Sequence, residues 1–119
     1  MKLAIIGSRT ITAADLPHDL AYYLPPDTTE IVTGGAKGID TSAAEFAEQR
    51  GIKLTVFPPQ YPRFGRSAPL RRNEQIADYA DGALAFWDGR SRGTMHTVGL
   101  FRTHGKPVVL LELPDDKAE

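Results

Sequence analysis

Apolar residues recur along this chain at two spacings, and the alternation between them sets out the elements. Leu3 to Ile6 is a continuous apolar run, the pattern of a strand buried on both faces. Leu16, Leu20 and Leu24 then recur at helical spacing within a predicted helix from about Ala13 to Leu24. Thr12 is its expected cap, Asp15 and Pro17 fall in its first turn, and Pro25-Pro26-Asp27 ends it. Glu30 to Thr33 is a second strand. A helix follows, carrying Ala43, Ala44, Phe46 and Ala47 and closed by Gly51. Ile52 to Phe57 alternates Ile52, Leu54 and Val56 with Lys53 and Thr55, a third strand. Residues 58–69 read as a long loop, of the length that often serves a function. Leu70 to Ala80 is helical with Leu70, Ile76, Ala77 and Ala80 inward, and Ala83 to Trp87 is a fourth strand. A polar turn over 88–93 leads to a helix from Thr94 to about Thr103, using Met95, Val98 and Phe101. Gly105 ends that helix, and Pro107 to Leu113 is a fifth strand.

This β-α alternation predicts an α/β fold: a Rossmann-like, doubly wound sheet of about five mainly parallel strands, with helices on both faces. The 119 residues suit one domain, with 114–119 expected to fray. In such sheets ligands bind beyond the carboxyl ends of the strands, near the switch in strand order. Three polar segments fall at those ends: Gly7-Ser8-Arg9, Gly34 to Asp40, and Asp88 to Thr94. Their convergence on one rim is the main argument for a site.

Composition narrows the chemistry. A net charge of −1 gives no global pull toward nucleic acid or anionic membrane. The absence of cysteine removes disulfides, thiolate metal sites and a cysteine nucleophile, and suits a cytoplasmic location. No stretch reads as a signal peptide or a membrane span. His18, His96 and His104 show no metal spacing and no partner carboxylate, so neither a metal nor a cofactor is expected.

Gly34-Gly35-Ala36-Lys37-Gly38, between a strand and a helix, is the order that carries backbone N–H groups up to a phosphate. A tight turn without ligand would use the same glycines. It matches neither a Walker loop nor a dinucleotide fingerprint. Arg9 is either a phosphate or carboxylate clamp or a solvated surface arginine. Lys37 is either a phosphate contact or an exposed side chain, the latter being the favoured reading. Asp40 is expected to cap the helix, with a ribose hydroxyl as its other partner. Gly89, Ser91, Gly93 and Thr94 offer a second phosphate cradle at a helix start, where Asp88 is a turn residue, a sugar ligand or a general base. From Arg63 to Arg72 there are four arginines and no acid. With Tyr61 and Phe64 they form a basic, aromatic patch or a solvated loop.

Gly7-Ser8-Arg9, the Gly34–Asp40 turn, Arg72-Asn73, and Phe86 to Thr94, in that order, resemble the SLOG superfamily, in particular its YspA/YpsA-related bacterial and phage branch. The resemblance implies a Rossmann-like sheet and a nucleotide or nucleotide-derived, ADP-ribose-like ligand, held by a sensor or sequestering module. It also implies a possible homodimer. Relatives of the LONELY GUY type are nucleoside monophosphate phosphoribohydrolases. Against their motif Arg72 fits the arginine and Gly93-Thr94 the Gly-Thr, while Thr97 stands at the glutamate position. N-glycosidase chemistry would then need Asp88 or Asp40 as substitute. The DNA-processing relatives share the Gly-x-Ala-x-Gly-Ile-Asp turn and an Arg-Asn helix start and bind single-stranded DNA. The charge balance here disfavours that nucleic-acid reading.

Overall fold

The computed structural model describes residues 1–7, 16–35 and 38–112, with 16–19 described by backbone alone. Within them run β1 (Lys2–Gly7), α1 (Leu16–Tyr23), β2 (Glu30–Thr33), α2 (Ile39–Arg50), β3 (Lys53–Val56), α3 (Tyr61–Phe64), a 3-10 turn (Gly65–Ser67), α4 (Ala68–Tyr79), β4 (Gly82–Trp87), α5 (Arg92–Thr103) and β5 (Val108–Glu112). The strands form one sheet in the order β3-β2-β1-β4-β5. Every pairing is parallel, with Lys2 opposite Glu30 in β1–β2 and Leu3 opposite Gly82 in β1–β4. The expected Rossmann-like α/β architecture is therefore the one observed. Strand order reverses between β1 and β4, which places the switch point at their carboxyl ends.

Period-two alternation feeds two cores. Leu3, Ile5, Ile31, Leu84 and Phe86 point to the face covered by Leu20 of α1 and by Ile39, Ala43, Phe46 and Ala47 of α2. Ala4, Val32 and Ala83 point to the other face, under Ile76 and Ala77 of α4, Ala80, and Phe101 of α5. Each fully buried large side chain contributes roughly 1.5–3 kcal/mol. The small residues on the second face let α4 and α5 approach the strands closely.

Several boundaries differ from the expected ones. The 58–69 segment is not irregular: it holds α3, the 3-10 turn and the start of α4. Pro62 and Pro69 sit in the first turns of α3 and α4, where a missing N–H costs little. Leu70, expected inward, is 47% exposed. β3 is an edge strand, paired on one side only among the described residues, and its Leu54 and Val56 stay partly in solvent. Met95 is only half-buried, whereas Val98 and Phe101 are fully inside. Gly51, in the left-handed region, closes α2 as expected. Thr12, Asp15 and the 114–119 tail lie outside the described residues.

At the amino-terminal part of the sheet, Glu30 is buried and accepts hydrogen bonds from Thr55 Oγ1 at 2.6 Å and from the Tyr79 hydroxyl at 2.5 Å. Lys53 Nζ stands 3.6 Å away. These bonds, Thr55 first and then Tyr79, hold the Glu30 carboxyl below its ordinary range against the opposing pull of burial.

Candidate functional site

A cavity of about 540 Å³ opens at the carboxyl rim beside the switch point. Its walls come from four separate places in the chain: the end of β1 (Ile5, Ile6, Gly7), the β2–α2 junction (Gly34, Asp40), α4 (Pro69, Leu70, Arg72, Asn73, Ile76), and the β4–α5 turn with the first half of α5 (Asp88, Arg90, Ser91, Gly93, Thr94, Thr97). The fold thus brings nine of the residues singled out from the sequence around one space. Gly35, Gly38 and Gly89 shape the adjoining turns with φ of 74°, 82° and 84° and are not part of its lining. Ser8, Arg9, Ala36 and Lys37 lie outside the described residues.

The start of α2 is set by close approach. A Cβ on Gly7 would lie 2.3 Å from Ile39 Cβ, so only glycine lets α2 start against the end of β1. Gly38, with φ 82° and ψ −117°, precedes α2 and supplies no side-chain cap. Asp40 is therefore not the helix cap expected of it. It lies in the first turn, buried, and its Oδ2 accepts the N–H of Gly34 at 3.0 Å. The helix starts earlier than expected because Ile39 is needed in the core. On the other side of the same residue, Arg72 Nη1 donates to the Gly34 carbonyl at 2.6 Å. Arg72 Nε donates to Asn73 Oδ1 at 2.8 Å, which fixes the Asn73 amide orientation.

The second turn is held by its own side chains. Asp88 Oδ1 accepts the N–H groups of Arg90 and Ser91, both at 2.8 Å, the geometry of a turn-forming aspartate. α5 begins at Arg92 rather than at Thr94, because Ser91 is its cap: Ser91 Oγ accepts the N–H of Thr94 at 3.3 Å and lies 3.1 Å from Thr94 Oγ1. The Trp87 indole N–H donates to the Ser91 carbonyl at 3.0 Å. Thr97 is buried and donates to the Gly93 carbonyl at 3.0 Å.

The arginines around α3 and α4 divide. Arg72 enters the cavity wall, Arg71 pairs with Glu74 on the surface at 3.2 Å, and Arg63 lies over the Phe64 ring at 5.0 Å. Sequence reasoning missed the apolar lining of Ile5, Ile6, Pro69, Leu70 and Ile76. Pro69-Leu70 directly precedes Arg72-Asn73, and that adjacency was the available signal. His104 does have a carboxylate partner, contrary to expectation: Asp78 Oδ1, at 3.5 Å, brought to it by the α4–α5 packing. Among the described residues no group of three or more His, Cys, Asp or Glu could hold a metal, and no helix is long and apolar enough to cross a membrane.

Residues 19–64 match the YAcAr family, described as the YspA, cpYpsA-related SLOG family. The match supports the resemblance to the YspA-related branch of that superfamily. It runs from α1 through the glycine turn to the end of α3, and so reaches neither Arg72 nor the β4–α5 turn. No curated protein and no solved structure matches the chain.

Proposed function

We propose, with the SLOG match over residues 19–64 as premise, that this chain binds a nucleotide or nucleotide-derived ligand of the ADP-ribose kind and acts as a sensor or sequestering module. The observation that carries the reading is the cavity at the switch point, walled by four separated segments. Its polar side suits a phosphate. Arg72 contributes a planar cation, Asn73 an amide, and Ser91, Thr94 and Thr97 hydroxyls near the capped start of α5. Its apolar side, formed by Ile6, Pro69, Leu70 and Ile76, suits the faces of a base and sugar.

Phosphoribohydrolase activity is the alternative reading, and the site chemistry favours binding over it. Cleaving an N-glycosidic bond develops positive charge on the sugar, which a carboxylate stabilises. At the position of the glutamate in the LONELY GUY-type motif stands Thr97, whose hydroxyl donates to a helix carbonyl. The two carboxylates of the cavity, Asp40 and Asp88, accept main-chain N–H bonds that build the turns. Single-strand binding finds less support, since Arg71 is paired with Glu74 and Arg63 packs on Phe64.

The test is calorimetric titration with AMP and with ADP-ribose, followed by chromatography of each mixture for free adenine. Saturable binding tighter than about 1 mM without release of base is the expected result. Release of adenine would establish the hydrolase instead, and absence of heat with both probes would overturn the ligand reading.

A further inference from the structure

Gly34 is held from both sides by opposite charges. A carboxylate oxygen, Asp40 Oδ2, accepts its N–H at 3.0 Å, and a guanidinium nitrogen, Arg72 Nη1, donates to its C=O at 2.6 Å. The two partners come from different elements, α2 and α4, and both bond to the main chain of this one residue. Contact is so close that a Cβ on Gly34 would fall 2.2 Å from Arg72 Nη1 and 2.8 Å from its Cζ. All three residues line the cavity.

A carboxylate in the wall of an anion pocket works against binding by Coulomb repulsion. The hydrogen bond to Gly34 gives Asp40 a task in the wall other than holding an anion. We infer that Asp40 is a positioning residue: with Arg72 on the opposite side of Gly34, it latches the glycine turn to the start of α4 and so fixes the shape of the cavity before any ligand arrives. The latch sets the direction of both peptide groups of Gly34. It also ties the two walls together, so their spacing is not left to the occupant to establish. Its effect on affinity rests on the ligand reading above; its effect on the turn does not.

The Asp40 arm separates this role from plain electrostatics, because loss of Arg72 would also remove a cation from the pocket. Asp40→Ala removes a negative charge, and repulsion alone would make AMP bind more tightly. The latch requires the opposite: AMP affinity by calorimetry falls about tenfold or more in D40A, and Asp40→Asn, which keeps an oxygen acceptor without the charge, recovers most of that loss. Amide hydrogen exchange supplies a readout that needs no ligand. Exchange at Gly34 accelerates about tenfold or more in D40A and returns toward the wild-type rate in D40N, while Val32 and Ala85 in the strands stay protected. AMP binding in D40A equal to or tighter than wild type, or unchanged Gly34 exchange, overturns the inference. If D40A does not fold, D40N decides alone: a Gly34 amide about tenfold less protected than in the wild type would sink the latch. If the wild-type chain does not bind AMP, the ligand reading falls and the exchange rates still judge the latch.

Discussion

Gly7 has no side chain to contribute, yet it sets where a helix can begin. Its α-carbon faces Ile39, and an added methyl group would lie 2.3 Å from Ile39 Cβ, 2.4 Å from Cγ1 and 2.6 Å from Cγ2. None of these atoms is the far end of a flexible chain, so backbone must move. Gly7→Ala is therefore expected to destabilise the protein by about 1–3 kcal/mol, the range for overpacking. Urea unfolding would check it, and a midpoint unchanged from wild type would contradict the packing argument. At this scale the sequence was informative about which residues matter and less so about what they do. Gly7, Gly34 and Arg72 stood out from their setting at strand and helix ends. That Gly7 makes room for Ile39, and Gly34 for Arg72, depends on partners far along the chain, which no local pattern encodes. Asp40 was misassigned for the same reason: an aspartate at a helix start commonly caps, and only the folded turn places Gly34 N–H beside its carboxylate.

Between elements, Glu30 joins three. It lies on β2, takes hydrogen bonds from Thr55 of β3 and Tyr79 of α4, and faces Lys53 of β3. Its carboxyl is held below the ordinary value of 4.5, chiefly by Thr55 and then Tyr79. A group whose folded pKa is depressed adds stability above its unfolded pKa and loses it as pH falls through the folded one. Glu30 therefore stabilises the fold at neutral pH, and its contribution begins to fall below about pH 4.5 and is lost as pH passes its lower folded value. Glu30→Gln should lower the neutral-pH urea midpoint and flatten its decline on the acid side; parallel curves for variant and wild type would refute this. The elements themselves were mostly legible, since the strands and the long helices obey clean periods. The 58–69 segment was not. Proline, glycine and aromatic residues in close succession mask two short helical pieces, whose prolines sit where a helix tolerates them.

At the scale of the molecule, the described residues form one sheet serving two cores. Successive residues of β1 alternate between them, Leu3 and Ile5 to one face and Ala4 to the other. Neither helix layer can leave without exposing strands that the other layer needs. Unfolding is accordingly expected as a single transition, with coincident near- and far-ultraviolet circular dichroism midpoints in urea. Separated midpoints would mean that the two faces unfold independently. The parallel architecture followed from the order of elements, and the convergence of strand ends followed from the architecture. The cavity's apolar wall did not, because Leu70 belongs to a helix whose packing, rather than its period, turns that residue outward. The chain has one tryptophan, Trp87, placed at the end of β4 with its indole N–H on the carbonyl of Ser91, in the turn that walls the cavity. The sole long-wavelength fluorophore of the chain thus stands beside the cavity: light absorbed at the red edge of the spectrum reports from that spot alone, and a change of emission on adding AMP is the expected optical sign of the binding proposed above.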